Sequence, residues 1–66
     1  MAGQVKAMID RIIEERSKGN PILATTTRTK LILKGLDPDD YNANSPDDPM
    51  LIARLRDLAA ELNISL

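Results

Sequence analysis

The chain has 66 residues and a formal net charge of −1, and it contains neither cysteine nor histidine. This composition excludes disulfides and thiolate metal sites, and it removes the commonest metal ligand and the commonest general base. A chain of this length forms at most one domain and buries only about 60% of its surface on folding. We therefore expect a single domain over 1–66 with no cofactor and no bound metal. Its stability should depend on close helix packing or on self-association.

The apolar residues are almost all aliphatic, and Tyr41 is the single aromatic residue. Branched aliphatic side chains suit helix packing, whereas binding of single-stranded nucleic acid uses aromatic faces for base stacking. The longest uninterrupted apolar run has four residues, and a membrane span needs about 20. The first residues also lack the apolar stretch of a signal peptide. We expect a cytoplasmic protein that does not contact a membrane.

The near-neutral total hides two halves of opposite charge. Residues 1–34 carry seven cations and three carboxylates, for a net charge of +4, and residues 35–66 carry a net charge of −5. The halves can complement each other within one fold or between two copies, or the basic half can serve an anionic partner.

The first segment has the spacing of an amphipathic helix. Apolar residues recur at i, i+3, i+4, i+7 and i+8, namely Val5, Met8, Ile9, Ile12 and Ile13. Gly19 is a suitable residue for the position after a helix end. These signals predict a first helix over 4–18, with a polar face in which Lys6–Asp10 and Arg11–Glu15 are opposite charges at i, i+4.

The second segment is ambiguous. Asn20-Pro21 favours a helix start and Lys34-Gly35-Leu36 favours a helix end. The four threonines between them are poor helix formers, and the alternation over 27–34 is also typical of a strand. A lone strand would lack a partner in this chain, so we predict a second helix within 22–34. A break near the threonines and a strand over 25–33 stay open alternatives.

The segment 37–48 is rich in turn formers, with five aspartates and two prolines. Asp37-Pro38 and Asp48-Pro49 have the pattern of an N-cap followed by a first helical residue. We expect one short helical turn around 38–41, with Tyr41 on the core. A third helix should follow over 49–62, with a stripe formed by Leu51, Leu55, Leu58 and Leu62.

The aspartate-rich segment has a weak similarity in spacing to a calcium-binding loop that begins at Asp40. Such a loop needs glycine at its sixth position and a bidentate glutamate at its twelfth. These positions hold Ser45 and Leu51. We therefore interpret the aspartates as helix-capping residues and predict no metal site.

A second candidate site is Thr26, Arg28, Lys30 and Lys34, whose hydroxyl and cationic groups could contact phosphates. Three short helices could present them in a helix-turn-helix-like arrangement. The acidic overall charge and the lack of a neighbouring Asn or Gln for base readout argue against nucleic acid as a partner. Nucleic-acid binding by a regulator that uses Arg28 and Lys30 is therefore the alternative interpretation.

The sequence offers no catalytic set, and a bundle of this size has little room for a reactive cleft. We predict an all-α fold, a small three-helix bundle with an Asp/Pro-rich loop before the last helix. The favoured function is a non-catalytic protein-interaction or accessory module. Its partner would be another protein or a second copy in a homodimer.

Overall fold

The computed structural model describes residues 3–66, which form three α-helices and one short 3-10 helix. Helix α1 spans Gln4–Ser17, α2 spans Pro21–Leu33, the 3-10 turn spans Pro38–Asp40 and α3 spans Pro49–Glu61. No residue from 3 to 66 is in a strand. The predicted all-α three-helix fold is confirmed. The domain expected over 1–66 is described from Gly3 onward, and Met1 and Ala2 lie outside the described residues.

Helix α1 packs its apolar stripe into the core, as the sequence predicts. Val5, Ile9 and Ile12 are fully buried, and Met8 and Ile13 pack against them with partial exposure. On the opposite face the Lys6 Nζ lies 3.0 Å from an Asp10 carboxylate oxygen, and the Arg11 Nε lies 3.3 Å from Glu15. Both predicted i, i+4 pairs are therefore present.

Helix α1 ends at Ser17, one residue before the expected end. Lys18 and Gly19 both adopt positive φ angles, 45° and 85°, so the chain turns sharply within residues 18–20. Asn20 then caps α2, since its Oδ1 accepts hydrogen bonds from the backbone N–H groups of Ile22 and Leu23. A corner this short makes α1 and α2 neighbours in space.

Residues 25–33 form helix, and the strand alternative is wrong. Helix α2 runs from Pro21 to Leu33 without a break at the threonines. It ends as Lys34-Gly35-Leu36 predicts. The Leu36 N–H donates to the Leu31 carbonyl at 2.8 Å, and the Gly35 N–H donates to Ile32 at 3.0 Å. Gly35 has φ 77°, which is the left-handed conformation that this C-terminal motif requires.

The aspartate-rich loop is anchored to the core at its beginning. Leu36 and Pro38 are buried, and Tyr41 packs against the core from a half-buried position, as expected. The Asp37 Oδ1 accepts from the Asp39 N–H at 2.9 Å and so caps the predicted short turn.

Helix α3 begins and packs as predicted. The Asp48 Oδ1 accepts from the Met50 N–H at 2.9 Å, which confirms Asp48 as the N-cap. Leu55, Leu58 and Ala59 are buried, and Leu51 and Leu62 cover the rim of the core. The helix ends at Glu61, and Asn63 follows with φ 58°.

Helix α1 is the centre of the arrangement. Within residues 3–66, the backbones of α2 and α3 each approach α1 closely and do not approach each other. One side of α2 therefore contacts α1, and the side opposite to it faces away from the domain.

Candidate interaction surface on helix α2

The inward side of α2 is narrow and consists of three residues at spacings of three and four. Leu31 is fully buried, Thr27 is nearly so, and Ala24 is half-buried. The Thr27 hydroxyl donates to the Leu23 carbonyl at 2.8 Å, which satisfies a polar group that would otherwise be costly to bury. These three residues attach α2 to the domain.

The opposite side of α2 is apolar and exposed. Ile22 and Leu33 retain 74% and 82% of their surface accessibility, and Ile32 retains 50%. Leu23 is also exposed, at one edge of this surface. We define the outward face of α2 as Ile22, Thr25, Thr26, Thr29, Ile32 and Leu33.

The threonines of this face contribute methyl groups rather than free hydroxyls. The hydroxyls of Thr25, Thr26 and Thr29 each donate to the backbone carbonyl four residues earlier, at 3.0 Å. Such bonds satisfy the hydroxyl within its own helix, so the γ-methyl groups are the part of these side chains available to a partner. Together with Lys30 and Leu33, the three threonines line a shallow groove of about 480 Å³.

The charged residues of α2 are all basic. The helix contains Arg28 and Lys30 and no acidic residue, and Lys34 follows its last turn. The Lys34 Nζ lies 3.7 Å from a Glu61 carboxylate oxygen on α3. This is the one ion pair between the basic and acidic halves among residues 3–66. Arg28 and Lys30 make no ion pair with any described residue.

The structure brings three of the four predicted nucleic-acid residues to one side of α2 and leaves Arg28 apart. Thr26, Lys30 and Lys34 follow one another at spacings of four residues along the helix and its C-cap, and such residues share a face. Residues two positions apart lie about 200° apart around a helix, so Arg28 and Lys30 flank the outward face on opposite sides. The Thr26 hydroxyl is bonded to Ile22, and Lys34 is beside Glu61.

A second depression on the surface has mixed charge. A cleft of about 330 Å³ separates the end of α2 from α3 and is lined by cations, carboxylates and two leucines, namely Lys34, Leu36, Arg54, Asp57, Leu58 and Glu61. Across residues 3–66, every buried polar side-chain atom has a hydrogen-bond partner.

Three of the five carboxylates of the loop serve as caps at helix starts. Asp37 caps the 3-10 turn, Asp48 caps α3, and the Asp47 Oδ1 accepts from the Gln4 N–H at the start of α1 at 2.9 Å. No cluster of three or more acidic side chains with metal-binding geometry occurs among the described residues.

Comparison with known proteins gives no relationship: no family model, curated protein or solved structure matches the chain. None of the helices in residues 3–66 has the length and apolar character needed to cross a membrane.

The sequence did not indicate the outward face, because the apolar residues of α2 occur all around the helix. The residue from which this face could have been inferred is Thr27, which lies on the inward side of α2. Once Ala24, Thr27 and Leu31 are taken as the inward side, Ile22 and Leu33 must point away from it.

Proposed function

We propose that this domain is a non-catalytic protein-interaction module that binds its partner through the outward face of α2. The observation that carries the proposal is the concentration of exposed aliphatic side chains on the one side of α2 that no element of the domain covers. Contiguous exposed apolar surface on a soluble domain is typical of protein-binding sites. The threonine hydroxyls support the proposal, because they already donate to backbone carbonyls of their own helix. A partner can therefore bury this face without leaving these hydroxyl groups unsatisfied.

The composition of the face suits binding to another helix. Ile22, Thr26, Thr29 and Leu33 follow one another at spacings of four, three and four, which is the seam spacing of two packed helices. Full burial of an isoleucine or leucine contributes about 1.5–3 kcal/mol. Part of this gain is lost to the entropy of association. We therefore expect an affinity on the order of micromolar to millimolar, suited to a reversible contact.

The proposal is tested by site-specific photo-cross-linking from two exposed apolar positions. A photoreactive amino acid replaces Leu33 on the outward face, and in a matched control it replaces Met50, which is 68% exposed near the start of α3. We expect a defined polypeptide to be cross-linked from position 33 and not from position 50, and the same product to form again with the purified partner. Equal products from both positions, or none from position 33, would contradict the proposal.

The alternative to this proposal is that the domain binds nucleic acid. Affinity for DNA or RNA that falls steeply as salt rises, and that is lost when Arg28 and Lys30 are changed together to Gln, would indicate phosphate contacts. An interaction module of the proposed kind should show no such binding.

A further inference from the structure

We infer that the occupant of the outward face of α2 is the same face of a second copy, with the two α2 helices antiparallel around a two-fold axis. This inference rests on the proposed function and names its partner. It is carried by the order of side chains along the face, which is self-complementary when the helix is reversed.

The register places large residues against large ones and small against small. In an antiparallel pair centred between Thr26 and Thr29, Ile22 of each copy meets Leu33 of the other, and Thr26 meets Thr29 of the other. Threonines at the centre allow the helix axes to approach closely, and the exposed Ile22 and Leu33 side chains then cover both ends. A two-fold contact of this kind uses one surface twice and closes at the dimer.

The edges of the seam fit the same register. Thr25 of each copy lies beside Ile32 of the other, and Lys30 lies beside Leu23 of the other. The aliphatic stem of Lys30 can cover Leu23 while its ammonium group stays in water. No cation directly faces another cation. The two Lys30 groups share one edge and are about 7.5 Å apart along the axis, five residues at 1.5 Å each, so their repulsion is moderate and is screened by salt.

The size of the face determines the strength of the contact. Helix α2 has 13 residues and is about 20 Å long. Two such helices bury less than the roughly 1,200 Å² at the lower end of stable specific complexes. The dimer should therefore be weak and concentration-dependent, and it should strengthen as salt screens the lysines.

The first experiment is sedimentation equilibrium from micromolar to millimolar protein at low and high salt. We expect a monomer–dimer equilibrium that shifts toward dimer at high salt. Leu33→Ser should weaken dimerisation about tenfold, since it removes the most exposed aliphatic group. Thr26→Lys should weaken it at least as much, and it cannot be explained by unfolding because lysine is the better helix former. Met50→Ser, the matched control, should leave the equilibrium unchanged.

A second experiment tests the orientation, using the absence of natural cysteine. A disulfide needs Cα atoms within about 7 Å. In the antiparallel pair the two Ile22 positions are about 16 Å apart along the axis, eleven residues at 1.5 Å each. We expect an oxidised mixture of Ile22→Cys and Leu33→Cys chains to form the mixed disulfide faster than either variant forms its own. Rapid cross-linking of Ile22→Cys to itself would show a parallel pair and overturn the register.

The failure of this inference is distinguishable from that of the proposed function. A monomer at every concentration, with position 33 still cross-linking to a different purified protein, overturns self-pairing and leaves the module intact. Dimerisation that weakens at high salt and is unaffected by Leu33→Ser would show pairing through the opposite charges of the two halves and would also overturn the inference.

Discussion

The Asp47 carboxylate caps helix α1 from a distance of 43 residues in sequence, because its Oδ1 accepts a hydrogen bond from the Gln4 N–H at 2.9 Å. Helix α1 has no capping side chain of its own, since its N-cap residue is Gly3. The Gly3 N–H donates to the Ser45 carbonyl at 3.1 Å. The end of the aspartate-rich loop thus satisfies backbone donors at the start of α1, where a negative charge is also favoured by the helix dipole.

The first prediction follows from this cap. Asp47→Ala should lower the free energy of unfolding by about 1 kcal/mol, the usual effect of removing an N-cap. Asp40→Ala is the matched control, because Asp40 is an exposed aspartate of the same loop whose side chain makes no bond to a described residue. Its effect should stay within about 0.5 kcal/mol. Urea midpoints of the two variants measure the difference, and equal midpoints would show that the cap contributes nothing.

The second prediction concerns the close approach of Gly3 to the loop. Gly3 has φ 96°, and a Cβ atom there would lie 2.8 Å from the Ala43 carbonyl oxygen. Gly19 has φ 85° with nothing within 4 Å of the same position. Gly19→Ala should cost about 1–2 kcal/mol from left-handed strain alone, and Gly3→Ala should cost more because the backbone of the loop must also move. Thermal unfolding of both variants tests the order, and a smaller loss for Gly3→Ala would contradict the contact.

The third prediction compares two leucines on α2. Leu31 is fully buried and Leu33 is 82% exposed. Leu31→Ala should cost about 2–5 kcal/mol, as for other leucines removed from a core. Leu33→Ala should change stability by less than about 0.5 kcal/mol at concentrations where the protein is monomeric. Denaturant unfolding in dilute solution is the measurement, and a large loss for Leu33→Ala would mean that the outward face packs within the domain.

The fourth prediction concerns metal. Millimolar Ca²⁺ should leave the melting temperature unchanged, because Asp37, Asp47 and Asp48 already accept backbone hydrogen bonds and the loop lacks the bidentate glutamate that closes a calcium shell. Scanning calorimetry with and without Ca²⁺ measures this. An upward shift that chelator reverses would show that the loop binds the ion in the native state.

Local signals were sufficient for α1 and α3. The apolar stripe that contains Val5 and Ile9, and the one that contains Leu55 and Leu58, each have a single periodicity, so the helix and its buried side follow together. The caps at Asn20 and Asp48 were also predictable, since each bonds to an N–H two residues away.

Tertiary relationships were not predictable in the same way. Nothing near Gln4 in sequence indicates a cap from Asp47. The threonines of α2 counted against a helix, and only their bonds to earlier carbonyls and the packing of Leu31 show why the helix forms. The candidate surface was missed for the same reason, because the side that α2 turns outward depends on which side α1 covers.

The three-residue corner between α1 and α2 has a consequence for the order of folding. Closing so short a loop costs little chain entropy, whereas α3 reaches α1 only across the long aspartate-rich segment. We therefore expect the α1–α2 hairpin to form first and α3 to dock afterwards. Leu31→Ala should then chiefly slow folding, while Leu58→Ala should chiefly accelerate unfolding, which stopped-flow kinetics can distinguish. If Leu31→Ala instead chiefly accelerated unfolding and Leu58→Ala chiefly slowed folding, the α1–α2 hairpin would form late.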